Sequence, residues 1–113
     1  VSDANRRNVK RVPAEKLPPA FRQFLLSFGP KEVYLGKTID ASLTGIAFHV
    51  EVPVYRIREF LVKMVSADKK ISMSQEIVYI KPIDEGNSRV SFLFKEESTP
   101  PLYRKAVREA MRG

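Results

Sequence analysis

Apolar side chains recur at every second position along this chain in short bursts that soon stop. The clearest burst is Ile46, Phe48, Val50 and Val52, interleaved with Ala47, His49 and Glu51 and ended by Pro53. Val90, Phe92 and Phe94 repeat the pattern near the end. A period of two sends one face of a strand into a core and leaves the other outside. Between the bursts lie Gly, Pro, Asp, Asn and Ser, each with its own way of turning a backbone. Such closely spaced strands predict an antiparallel sheet closed on itself.

Read in order, Phe21–Phe28 is an expected strand, with a short helix after Pro18-Pro19 as its rival. Val33–Ile39 is the next strand, and Asp40–Gly45 is turn chemistry, with Gly45 supplying a positive φ. After Ile46–Val52 a helical turn is expected over Tyr55–Phe60. Leu61–Ser66 and Ile71–Lys81 form a hairpin around Ala67-Asp68-Lys69-Lys70, and Pro82–Asn87 is a further turn before the last strand. In the tail, Ser98 or Thr99 suits a helix cap, and Pro100-Pro101 suits the first helical positions. Leu102, Tyr103, Ala106, Val107, Ala110 and Met111 then make an apolar stripe at helical spacing, with Arg104, Arg108 and Arg112 expected in solvent. The expectation is a mainly β protein: a six-stranded antiparallel barrel with a C-terminal α-helix. Residues 1–12 are read as a flexible basic arm, 13–97 as the barrel and 98–113 as the helix, in one domain.

Composition narrows the chemistry. The 113 residues include no cysteine and one histidine, His49, set mid-strand among apolar neighbours. Thiolate catalysis, cysteine metal sites and disulfides are therefore excluded, and a histidine-based triad or metal site has no partners to draw on. No Gly-rich phosphate loop occurs. The chain reads as a binding protein with neither catalytic nor metal-ligating residues and no resident cofactor. No apolar run approaches the length of a membrane span, and no stretch has the pattern of a signal peptide. The chain begins at Val1, which leaves open whether it is part of something longer.

The formal net charge of +7 is concentrated at the ends. Arg6, Arg7, Lys10 and Arg11 stand against Asp3 alone, and Arg104, Lys105, Arg108 and Arg112 against Glu109 alone. Basic ends on a near-neutral body suit an anionic partner, although solvated termini would have the same composition.

Two constellations carry a sharper signal. One is Arg6-Arg7-Asn8-Val9-Lys10-Arg11, which contains R-x-x-x-R at Arg7 and Arg11. The other is Asp40-Ala41-Ser42-Leu43-Thr44-Gly45, or D-x-S-x-x-G, between two strands. In this order they resemble the signature of the PilZ domain family. Gly36–Phe48 resembles that family's second and third strands, and Arg89–Phe94 and the final helix follow its order, so the likeness extends over residues 6–112. The chain departs from the pattern at Thr44 and Ser91, where the family often has glycine, and in its long Pro-broken connection from Arg11 to Val33.

The resemblance implies a receptor for cyclic di-GMP in a bacterial cytoplasm. It implies that Arg7, Arg11, Asp40 and Ser42 contact the ligand, with Gly45 shaping the turn. The residue types suit the task. Arginine pairs bidentately with phosphate or with guanine O6 and N7, and a carboxylate accepts from guanine N1 and N2. Arg6, immediately before the arginine motif, could stack on an additional guanine, so two stacked ligand molecules per domain are expected. The arm would order on binding and alter the surface shown to an unidentified protein partner or attached domain. Two rivals are a ligand-free PilZ-like protein-interaction module and a basic barrel that binds single-stranded nucleic acid. The second would place aromatics on an exposed groove, whereas these phenylalanines follow core alternation, so no nucleic-acid partner is expected.

Overall fold

The computed structural model describes residues 10–112. Arg6 and Arg7, with the rest of the expected arm through Val9, lie outside the described residues.

Among the described residues, seven strands and one α-helix follow in chain order: β1 (Val12–Pro13), β2 (Gln23–Ser27), β3 (Val33–Ser42), β4 (Gly45–Val50), β5 (Leu61–Ser66), β6 (Ser72–Asp84), β7 (Asn87–Leu93) and α1 (Pro101–Arg112). Every pairing is antiparallel. The neighbours run β3-β2-β5-β6-β7-β4, and β4 pairs back onto β3, which closes a six-stranded barrel. Closure removes the open edges that an isolated sheet would expose. β1 lies outside the ring, with Val12 opposite Ala41 and Pro13 opposite Asp40.

Alternation explains the interior. Phe24 and Leu26 of β2, Ile46, Phe48 and Val50 of β4, Val62 and Met64 of β5, and Val90 and Phe92 of β7 are all buried. The Phe48 ring meets Phe24 and Phe92 edge-on at centroid distances of 5.3 and 5.9 Å, a favoured aromatic geometry. α1 joins the same core through Tyr103, Ala106, Val107 and Ala110, and Val12, Leu17 and Phe21 belong to it as well. Val12, assigned to the arm by sequence, is thus part of the packed body.

Several local expectations change. Asp40–Gly45 is not one long turn: β3 runs through Ser42 and β4 starts at Gly45, so Leu43-Thr44 alone makes the reversal. Gly45 has no positive φ. Its requirement is spatial, since a Cβ there would lie 2.8 Å from the Phe92 carbonyl oxygen. Pro82 and Ile83 belong to β6, accommodated by a register shift between Pro82 and Asp84, and only Glu85-Gly86 turn. Phe21–Phe28 combines both readings, a 3-10 turn over Pro19–Phe21 and then β2. The expected helical turn at Tyr55–Phe60 is a 3-10 turn over Val54–Arg56.

The tail differs in detail too. Ser98 and Thr99 do not cap α1; their hydroxyls donate back to the Lys95 and Glu96 carbonyls, within and around a 3-10 turn over Glu96–Ser98. Leu102 is exposed, and Tyr103 takes the buried place one position on. Arg104 is not free in solvent, because it donates to the Glu96 and Thr99 carbonyls, and Arg108 pairs with Glu96.

Candidate ligand-binding site on the barrel wall

The β3–β4 hairpin carries D-x-S-x-x-G, and the pairing of β1 on β3 brings Arg11, the second arginine of R-x-x-x-R, to it. Pro13 lies opposite Asp40, which sets Arg11 beside the same carboxylate. Arg11 donates from Nε at 2.8 Å and from Nη2 at 2.6 Å, both to Asp40 Oδ1. The two motifs, 29 positions apart, thus meet in a charge-assisted contact. Both side chains remain partly exposed, at 39% for Arg11 and 25% for Asp40.

A third charged group joins them. Arg89 of β7 places Nη2 3.7 Å from Asp40 Oδ2. The register explains the reach. Asp40 is opposite Ala47, and Ala47 opposite Ser91, so the short strand β4 lies between the two partners. Ile46, Phe48 and Val50 fill the core, and the alternation turns Gly45, Ala47 and His49 to the outer wall. With only a methyl at Ala47 and no side chain at Gly45, the two guanidiniums can close over β4. Accordingly Ala47 is fully buried although it lies outside the core cluster. Arg11 Nη1 lies 3.6 Å from the place a Gly45 Cβ would occupy.

Beside this site the register lines up Lys37, His49, Arg89 and Lys81 across β3, β4, β7 and β6. His49 is engaged through Nε2 with Asn87 Oδ1 at 2.9 Å. Tyr79, half exposed, stands opposite Ser91 at the far end of the row that contains Asp40. The outer wall here is a strip of small residues with an ion cluster at one end, an aromatic ring at the other and basic groups alongside. Such a surface can pair with phosphate, accept from a base edge and support a planar ring.

Ser42 is placed differently. It is fully buried, and its Oγ accepts the Thr44 backbone N–H at 3.2 Å within the reversal. Tyr103 of α1 reaches the same hairpin. Its hydroxyl donates to the Ser42 carbonyl at 2.8 Å and lies 3.1 Å from the Gly45 carbonyl. Burial pushes the Tyr103 phenol well above its ordinary range. At the C-terminal end of α1, Lys10 Nζ donates to the Met111 carbonyl at 2.8 Å. Helix and motif residues are therefore joined at both ends of α1.

Of the expected site residues, the structure brings Arg11, Asp40 and Gly45 together, holds Ser42 inside the hairpin, and leaves Arg6 and Arg7 outside the described residues. Arg89 and Tyr103 had no motif to mark them. Alternation in Arg89–Phe94 puts Arg89 on the outer face, but only the register across β4 joins it to Asp40. A separate cleft of about 530 Å³, lined by residues such as Phe28, Tyr55, Arg56 and Glu59, lies beyond the other end of β3. Its arginines, Arg56 and Arg58, are matched by Glu32 and Glu59, so it has no surplus charge for an anion.

The PilZ domain family model matches residues 5–111, nearly the whole chain. Among curated proteins nothing matches the chain, and none of the solved structures does.

Proposed function

We propose that this chain, which belongs to the PilZ domain family, binds cyclic di-GMP on the outer wall of its barrel and passes that event to α1. The observation that carries the reading is the Arg11–Asp40 contact, which unites the two family motifs at one exposed place. The family is one of cyclic di-GMP receptors, and its domains are in general binding modules rather than enzymes. In this reading Arg7 and Arg11 take phosphate or the O6/N7 edge of guanine, and Asp40 accepts from N1 and N2. Ser42 contributes through the shape of the hairpin, where its hydroxyl holds the Thr44 N–H, and Gly45 keeps that hairpin against β7.

The ligand would act on α1 through two attachments. Recruitment of Arg11 pulls on neighbouring Lys10 and its bond to Met111, and any shift of the hairpin reaches Tyr103. A partner protein or attached domain that reads α1 would then sense the nucleotide. The messenger is bacterial, so the reading places the protein in a bacterial cytoplasm. No helix among the described residues is long and apolar enough to cross a membrane.

Arg6 adds a stoichiometric expectation of two stacked ligand molecules per domain, because a further guanidinium can stack on a guanine and offset phosphate repulsion. Calorimetric titration with cyclic di-GMP, GTP and linear pGpG tests the reading. Binding confined to cyclic di-GMP is the expected result. Equal binding of all three would reduce the site to a general anion patch.

A further inference from the structure

We infer that Arg89 is a positioning residue of this site, holding the Asp40 carboxylate in place for guanine when Arg11 turns to the nucleotide. The inference rests on the cyclic di-GMP reading and deepens it. Arg11 and Asp40 are both assigned to the ligand, yet they are bonded to each other, with both Arg11 donors on Oδ1. If the Arg11 fork is to meet a phosphate or guanine, it must give up that oxygen. Asp40 would then lose two charge-assisted hydrogen bonds just when its carboxylate has to be fixed and charged.

Arg89 is built to take over. Its Nη2 faces the other oxygen, Oδ2, at 3.7 Å, an ion-pair separation with room to tighten. It comes from the middle of β7, paired on both sides by β4 and β6, whereas Arg11 only adjoins the two-residue strand β1. One of its cross-strand neighbours is Lys81, and like charges set opposite one another are unfavourable. Among the described residues Asp40 is the carboxylate with which Arg89 pairs. Two guanidiniums on one carboxylate also leave the site net positive before any ligand arrives, which favours a diphosphate.

The test is calorimetry on Arg89→Ala and Arg89→Lys, each made in the parent and in an Asp40→Asn background, titrated with cyclic di-GMP and cyclic di-AMP. Arg89→Ala is expected to weaken cyclic di-GMP binding about tenfold and to narrow its preference over cyclic di-AMP. Arg89→Lys restores part of both, and it serves as the folded control if the alanine variant melts early. In the Asp40→Asn background Arg89→Ala costs less than about twofold, as expected of a residue that acts through another. Parent-like affinity and preference in Arg89→Ala would overturn the inference, and so would an equal loss in both backgrounds. A parent that does not bind cyclic di-GMP would remove the functional reading and this inference together, whereas those two results remove the inference alone.

Discussion

Asp40 stands between Arg11 and Arg89, and its partly exposed setting decides what that ion cluster does. A pair open to water contributes only about 0–1 kcal/mol to folding, since solvent screens it and ordering long side chains offsets the attraction. A ligand can therefore separate Arg11 from Asp40 at little cost. Asp40→Ala should change the free energy of urea unfolding by less than about 1 kcal/mol, yet weaken cyclic di-GMP binding and lessen the preference for guanine over adenine. Titration with cyclic di-GMP and cyclic di-AMP measures the second part; an unchanged ratio of affinities would contradict the assignment of Asp40 to a base edge. Gly45 behaves in the opposite way. Gly45→Ala puts a methyl 2.8 Å from the Phe92 carbonyl oxygen, so it should destabilise the fold by about 1–3 kcal/mol. A stable Gly45→Ala protein with lost affinity would instead make this glycine a ligand contact.

At the scale of elements, the motif hairpin and α1 form one unit through Tyr103. Tyr103→Phe keeps the ring against Phe94 and Phe21 but removes the donor to the Ser42 carbonyl, which should cost about 1–3 kcal/mol in thermal or urea unfolding. The phenol also predicts a pH response. Burial raises its pKa in the folded protein above the ordinary 10.0, so the contribution is complete below that value. As the pH rises beyond it, the unfolded chain loses the proton first and stability falls. The parent should therefore lose stability above about pH 10 more steeply than Tyr103→Phe, as followed by melting temperature against pH. Parallel pH curves would contradict a buried, hydrogen-bonded phenol. The elements themselves are legible in the sequence wherever one face is buried, because alternation in Ile46–Val50 and Val90–Phe92 reports that face directly. Where turn-forming or polar residues are held in a strand by pairing alone, the signal fails. β3 continues through Asp40 to Ser42 because β1 and β4 pair with it there, and a residue type common in turns cannot reveal those partners. β6 likewise runs through Pro82 on the strength of its pairing with β7. The Arg89–Asp40 contact is illegible for a related reason. It depends on register across an intervening strand and on Ala47 being small.

Across the whole molecule, the net charge of +7 and the cluster at Arg11 and Arg89 suit the proposed binding of a compact anion. Affinity should fall as salt rises, because screening shortens the reach of these charges. The same charge bears on stoichiometry. Two stacked ligands bring four phosphates together, and Arg6→Leu should reduce the number bound at saturation from two to one, as read from calorimetric stoichiometry; one ligand bound by the parent would contradict this. The central claim is that the two family motifs, joined through Arg11 and Asp40, make a cyclic di-GMP site. Its most direct test is a calorimetric titration of the parent and of Arg11→Ala with cyclic di-GMP at one salt concentration. Saturable binding by the parent is expected, with at least a tenfold weaker affinity in a variant that melts within a few degrees of it, since an exposed ion pair contributes little to folding. Equal affinity in the two proteins, or no binding by the parent, would contradict it.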